Sequence, residues 1–221
     1  YIKLSKNNDS EAIKYLVDQF KKIEEPSADQ YYDLANFYKD NNYYEDSIKY
    51  YTLALNRTSP NNESRFEIFD RRGTSYERLK LWEKAEKDLK ISLDLKPDQP
   101  YVLNYLAYSW LERNTKIDKA YDMLMKANNL KKNDPYIIDS LGWCMYMMGN
   151  YKKAEEYLQI AVQLLPFDPI INDHYADSLW KLQKYMQARY FWSQIINFKE
   201  TEEKLKDKIK QKLINGVIEE S

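Results

Sequence analysis

Ala154 and Ala188, Tyr151 and Tyr185, Leu158 and Trp192, and Asp139 and Asp173 form like pairs, each 34 positions apart. A period of that length holds two short helices and their turns, but neither helix can bury its apolar side within one unit. Successive units must stack, so the period predicts an all-helical array and no sheet.

The pattern holds position by position. From Pro135 the chain gives Ile138, Leu141, Gly142 and Met145, then Tyr151, Ala154, Leu158, Ala161 and Pro166. From Phe66 it gives Phe69, Gly73 and Tyr76, then Trp82, Ala85, Leu89 and Pro97. The stretches from Ala28, Pro100 and Pro169 repeat the scheme, although Ala120 follows Ala85 by 35 rather than 34. The small residues constrain most: Ala35, Gly73, Ala107, Gly142 and Ala176 recur where two helices of a unit must touch, because axes near 8–10 Å apart leave no room for a long side chain. Their partners on the second helices are also small: Ser47, Ala85, Ala120, Ala154 and Ala188.

On these residues the chain resembles the tetratricopeptide repeat family. The resemblance implies a right-handed superhelical solenoid of five full repeats, spanning 28–61, 66–99, 100–134, 135–168 and 169–202. Residues 1–27 read as a partial repeat, with Ile13, Leu16, Val17 and Phe20 inward on a helix closing before Pro26. The start at Tyr1 without a Met suggests a fragment or processed product. Residues 203–221 read as a capping helix, with Leu205, Ile209, Leu213 and Val217 four apart on one face and lysines around the rest. A basic amphipathic helix could lie on a membrane surface instead. Capping is favoured because a bare last repeat leaves its apolar side wet. The polar run 58–64 reads as a loop within one continuous domain.

Composition excludes several function classes. Charged residues reach 31% but nearly cancel, at a formal −1, which argues against nucleic acid as the partner. No apolar run approaches a membrane span. There is no phosphate-binding glycine loop and no pair of metal-spaced histidines, so no cofactor, metal or catalytic constellation is expected and the chain reads as no enzyme. His174, the only histidine, reads as an ordinary helix-surface residue, and Cys144, the only cysteine, as a buried inert thiol. Trp82, Trp110, Trp192, Tyr44, Tyr76, Tyr151 and Tyr185 occupy core slots of the repeat, and the sign-alternating run 83–90 reads as a solvated face.

In this family the first helices line a concave groove. The matching positions here are Tyr101, Asn104, Tyr108, Tyr136, Asp139, Trp143, Tyr146, Asp173, Asp177 and Trp180, with Tyr32, Asn36, Asp70 and Thr74 earlier in the chain. Exposed aromatics are expensive surface, so the later set is the candidate partner-binding patch, with the carboxylates as a charged rim for a basic flank. The opposing reading is a solvent groove, or one filled by the protein's own terminus. The family's cationic clamp for acidic C-terminal tails is absent: its slots hold Tyr101 and Tyr105, Tyr136 and Ser140, or Ile170 and His174.

Over 97–199 the runs beginning Pro97-Asp98-Gln99-Pro100, Ile138-Asp139-Ser140 and Asn172-Asp173-His174 resemble long tetratricopeptide proteins of proteobacteria. Some of those are outer-membrane lipoproteins, at least one an adaptor for a periplasmic carboxyl-terminal-processing protease. The resemblance implies a bacterial adaptor that binds a protein or peptide, in the periplasm or at the outer membrane rather than the cytoplasm. A structural module for self-association is the alternative.

Overall fold

A computed structural model describes residues 10–217. The described residues form twelve α-helices and no strand. They divide into two compact units that part between Pro97 and Asp98, where the sequence reads as one continuous domain.

The first unit holds α1 (Ser10–Phe20), α2 (Ala28–Asp40), α3 (Tyr44–Arg57), α4 (Arg65–Arg78) and α5 (Trp82–Leu95). The second holds α6 (Pro100–Glu112), α7 (Ile117–Leu130), α8 (Pro135–Met147), α9 (Tyr151–Leu164), α10 (Pro169–Lys181), α11 (Tyr185–Ile195) and α12 (Glu203–Asn215). Each unit is a helical-repeat solenoid in which each first helix packs on its own second helix, and each second helix packs on the first helix of the next repeat in the unit.

Local chemistry sets the helix ends. Ser27 and Gln30 form a reciprocal capping box on α2. Asp134 and Asp168 cap α8 and α10 by accepting from two backbone N–H groups each, and a proline follows at the first helical position, where its missing N–H costs nothing. The turn inside every repeat closes identically. The amides of Tyr43, Leu81, Thr115, Asn150 and Lys184 each donate to the carbonyl five residues back, on Tyr38, Tyr76, Trp110, Met145 and Leu179, at 2.9 Å. The residue that permits the reversal is left-handed each time: Asn42, Lys80, Asn114, Gly149 and Gln183. The third repeat adds a second left-handed residue, Lys116 at φ 51°. That extra residue delays α7 and accounts for the 35-residue spacing of Ala85 and Ala120.

The core follows the small-residue register. Ala35, Ala107 and Ala176 are fully buried. A Cβ on Gly142 would come within 2.6 Å of Leu158 Cγ, and one on Gly73 within 2.9 Å of Leu89 Cγ. Leu89, Leu124, Leu158 and Trp192 occupy equivalent places on the second helices and are fully buried. Trp110 is core as expected, whereas Trp82, Tyr44, Tyr76 and Tyr151 are half-buried and Tyr185 is exposed against Trp180. The run 83–90 is not wholly solvated: Asp88 turns inward and takes a two-pronged bond from Arg72, at 2.6 and 3.0 Å.

At the N-terminal end, Leu16, Val17 and Phe20 of α1 are half-buried, with Phe20 against Tyr31 and Tyr50. The side chain of Ile13 lies outside the described residues. At the other end, Leu205, Ile209, Leu213 and Val217 pack against the cluster of Ala188, Trp192 and Ile195. This is the face the four-residue spacing predicts. α12 begins and ends 34 positions after α10, so it stands in the register of a sixth first helix. One residue departs from that register: Lys210 holds the position of Gly142 and Ala176.

Candidate functional site

The candidate residues all lie in the second unit, on the first helices α6, α8 and α10. The structure sorts them into an exposed ledge, an aromatic stack and a buried ionic network.

Tyr101 and Tyr136 form the ledge. They hold the same place on α6 and α8 and are 52% and 54% exposed. The Tyr101 hydroxyl donates to Asp134 Oδ2 at 3.0 Å, and the Lys131 ammonium lies over its ring and bonds its hydroxyl. Ile170 continues the line on α10 at 43% exposure. Burial, then the nearby carboxylates of Asp168, Asp134 and Glu200, push the Tyr136 phenol above its ordinary range. Asn104, on the α6 turn after Tyr101, is half-buried, and its Oδ1 accepts no bond from the described residues.

The aromatic stack is centred on Trp143. Tyr146 lies against one face of the indole at 4.6 Å and 9°, and His174 of the next repeat at 4.2 Å and 14°. Tyr108 tilts towards His174 at 6.3 Å. Trp143, Tyr146 and Tyr108 are half-buried. With both ring faces of Trp143 covered by the protein's own rings, only its edge can meet a partner.

Asp139, Asp173 and Asp177 are not a solvated rim. They are 5%, 2% and 3% exposed, each paired within the chain. His174, itself buried rather than on the helix surface, places Nδ1 2.9 Å from Asp139 Oδ1. Asp173 accepts from the Trp192 indole at 3.1 Å, from Lys208 at 3.3 Å and from Lys212 at 2.5 Å. Lys212 also donates to both oxygens of Asp177, at 2.6 and 2.7 Å. A buried carboxylate without a partner would neutralise itself, so each acid on this face is matched by a cation on the next first helix.

The charges shape one another. Burial alone would lower His174, but the charge of Asp139 and its hydrogen bond, helped by Asp173 and Asp177, hold it above the ordinary histidine range. Burial would raise Asp173, yet Lys212 and Lys208 keep it below the usual carboxylate range. Asp177 goes the other way: burial and then its neighbour Asp173 raise it despite Lys212.

Trp180 is half-buried against Tyr185 and Trp192, with the Arg189 guanidinium over its ring. Gly216, at φ 75° beyond α12, lies so close to this indole that a Cβ would overlap it. α12 therefore covers the share of the face that the last repeat contributes. The residues that do this, Lys208 and Lys212, were missed in the sequence because they look like the polar side of an amphipathic helix. A signal was present: Lys208 lies 34 positions after His174, and both reach back 35 positions, to Asp173 and Asp139.

In the first unit the matching positions are occupied internally. Asn36 accepts from the Tyr51 hydroxyl at 2.6 Å, and the Thr74 hydroxyl bonds the Asp70 carbonyl. Tyr32 packs on Tyr51. Cys144 is buried, and burial pushes its thiol up to about 11. Among the described residues no helix is long and apolar enough to cross a membrane.

No family model matches the chain. A tetratricopeptide repeat-containing protein of Pseudomonas aeruginosa is 40% identical over 81 residues, 37% of this chain and 14% of that protein. The chain thus spans a small part of that relative. A tetratricopeptide repeat protein of Parabacteroides merdae superposes with TM-score 0.72 at 19% identity, over 90% of this chain and 78% of that one. YrrB, described as a tetratricopeptide protein with an unusual peptide-binding site, superposes with TM-score 0.60 at 15% identity, over 93% of this chain and all of that one. The chain resembles the tetratricopeptide repeat family and has its fold, an all-helical repeat scaffold.

Proposed function

We propose that this tetratricopeptide-type scaffold is a non-catalytic adaptor that holds a segment of a partner protein along the first helices of its second unit. One observation carries the reading: Tyr101 and Tyr136 recur at one repeat position, each more than half exposed, while neither fills the core. A buried aromatic is explained by packing; two exposed ones in register offer rigid contact area at small cost in side-chain entropy. Asn104 and the edges of Tyr108, Trp143 and Tyr146 continue that surface inward. Asp139, Asp173 and Asp177 act behind the surface, fixing His174 and α12.

The setting we propose is the bacterial envelope, with a protease or assembly factor among the candidate partners. Its support is the resemblance of 97–199 to envelope proteins; the Pseudomonas match supports only a bacterial repeat protein.

Peptides selected from a phage-displayed random library against the chain test the site. Tyr101→Ala and Tyr136→Ala should each weaken selected peptides about tenfold, on the order of 1.4 kcal/mol, without moving the melting temperature. Peptides indifferent to both substitutions would place the binding surface elsewhere.

A further inference from the structure

The face of the second unit built by α10 and α11 is covered by α12. We propose that the face built by α10 and α11 binds an amphipathic helix carrying lysines at i and i+4, that α12 fills it in cis, and that such a helix from a partner protein takes it in trans. The site lies on the last repeat, apart from Tyr101 and Tyr136, and stands whether or not that ledge binds anything.

Lys212 shows what the face selects. Lys212 is 7% exposed and its ammonium is shared between Asp173 and Asp177, while the Trp192 ring lies 5.8 Å away. Two carboxylates, 2% and 3% exposed, are not needed for apolar packing, and each must find a cation once buried. They make sense as a paired receptor for an ammonium, with Lys208 one turn earlier adding a longer contact to Asp173 at 3.3 Å. Between these lysines Ile209 is wholly buried, and Leu213 follows Lys212 into the same cluster. The recognised pattern is Lys-Ile-x-x-Lys-Leu on one helical face. Apolar contact supplies attachment, and the two acids supply register and charge selectivity.

Within the second unit, α12 is also the first helix best placed to leave. Every earlier first helix of this unit is held by its own second helix and by the neighbouring repeat. α12 is held on one side: among the described residues no helix packs on its outer face, where Ile214 is 71% exposed. Lys210, exposed and paired to Asp207, stands where a second helix would need Gly or Ala. Helices held from one side open at lower free energy than those clamped from two, and an opened α12 leaves Asp173, Asp177 and Trp192 to the incoming helix.

The experiment uses the full chain and a fluorescent synthetic peptide spanning residues 202–217. Leu213→Ala loosens α12 while leaving the acidic pair whole; Lys212→Met removes the cis ligand directly, and the leucine variant serves where that chain does not fold. The opened variant should bind the peptide at least tenfold more tightly than the unaltered chain. Asp177→Asn in the same background should remove that gain, and a peptide with both lysines replaced by Met should not bind. Equal peptide affinity with and without Asp177, in chains that melt cooperatively, would overturn the assignment. A concentration-dependent dimer of the unaltered chain that binds no peptide would overturn it too, by giving the face to α12 of a second copy.

Discussion

His174 Nδ1 and the Asp139 carboxylate meet at 2.9 Å inside the second unit, joining consecutive first helices through a buried charge pair. Asp173 and Lys208 repeat the joint one repeat later, with Lys212 added. Consecutive repeats here are therefore registered by ions as well as by apolar contact, and these joints give the molecule its sharpest testable properties.

Stability of the second unit should fall as pH rises. His174 has a raised value in the fold, so its contribution is fully present below its ordinary 6.5 and is lost as pH climbs through the folded value. Asp177, raised to about 6, acts in the same sense between its ordinary 3.8 and that value. Asp173 is lowered and acts oppositely, but only at acid pH below 3.8. Thermal melts should show a lower Tm at pH 8.5 than at 5.5, with His174→Gln flattening the upper part of the slope. A Tm that climbs across this interval contradicts the assigned pairs.

Removing one lysine should matter far more than removing its neighbour. Lys212→Met strands Asp173 and Asp177 in the interior and should cost about 3–5 kcal/mol. The Lys208 side chain is 60% exposed, so Lys208→Met should cost under about 1 kcal/mol. Urea titrations of the two variants make the comparison, and similar losses would mean that Lys212 is not the partner of both acids.

Gly142→Leu should destabilise by about 1–3 kcal/mol through overpacking, because even a Cβ there comes within 2.6 Å of Leu158 and 3.2 Å of Tyr157. Gly149 has open space around it, but its φ of 75° disfavours any side chain, so Gly149→Ala should cost about 1 kcal/mol through strain alone. A chain that tolerates leucine at 142 without loss would refute the close approach of α8 and α9.

Cys144 should ignore thiol reagents in the folded chain. Burial keeps it protonated well above neutral pH, and the nucleophile is the thiolate. Labelling by a disulfide reagent at pH 8 should be slow and should accelerate with urea alongside the loss of helicity. Immediate labelling of folded protein would place the thiol at the surface.

The fold was legible because one constraint repeats. Glycine or alanine at 35, 73, 107, 142 and 176 tells how closely helices approach, and that distance dictates the packing. Even the irregular spacing before Ala120 was visible, although Lys116 as its cause was not, since a left-handed lysine leaves no mark in composition. The division at Pro97 was illegible, because periodicity continues across it. The candidate face was legible only in part. Position within a repeat identified which residues lie on the first helices, and Tyr101 and Tyr136 are exposed as that implies. It could not tell an acid facing water from one facing a lysine on the next helix. Asp139, Asp173 and Asp177 were read as rim charges for that reason, and the correction came from cations 35 to 39 positions away.

Lys210 carries a consequence for how such arrays lengthen. In the vocabulary of polymer growth, a repeat is a bifunctional monomer, and α12 behaves as a monofunctional one: it can join the preceding unit but offers no seat to a successor. Replacing Lys210 with alanine would supply the missing valence and give a grafted helix a seat on that face of α12.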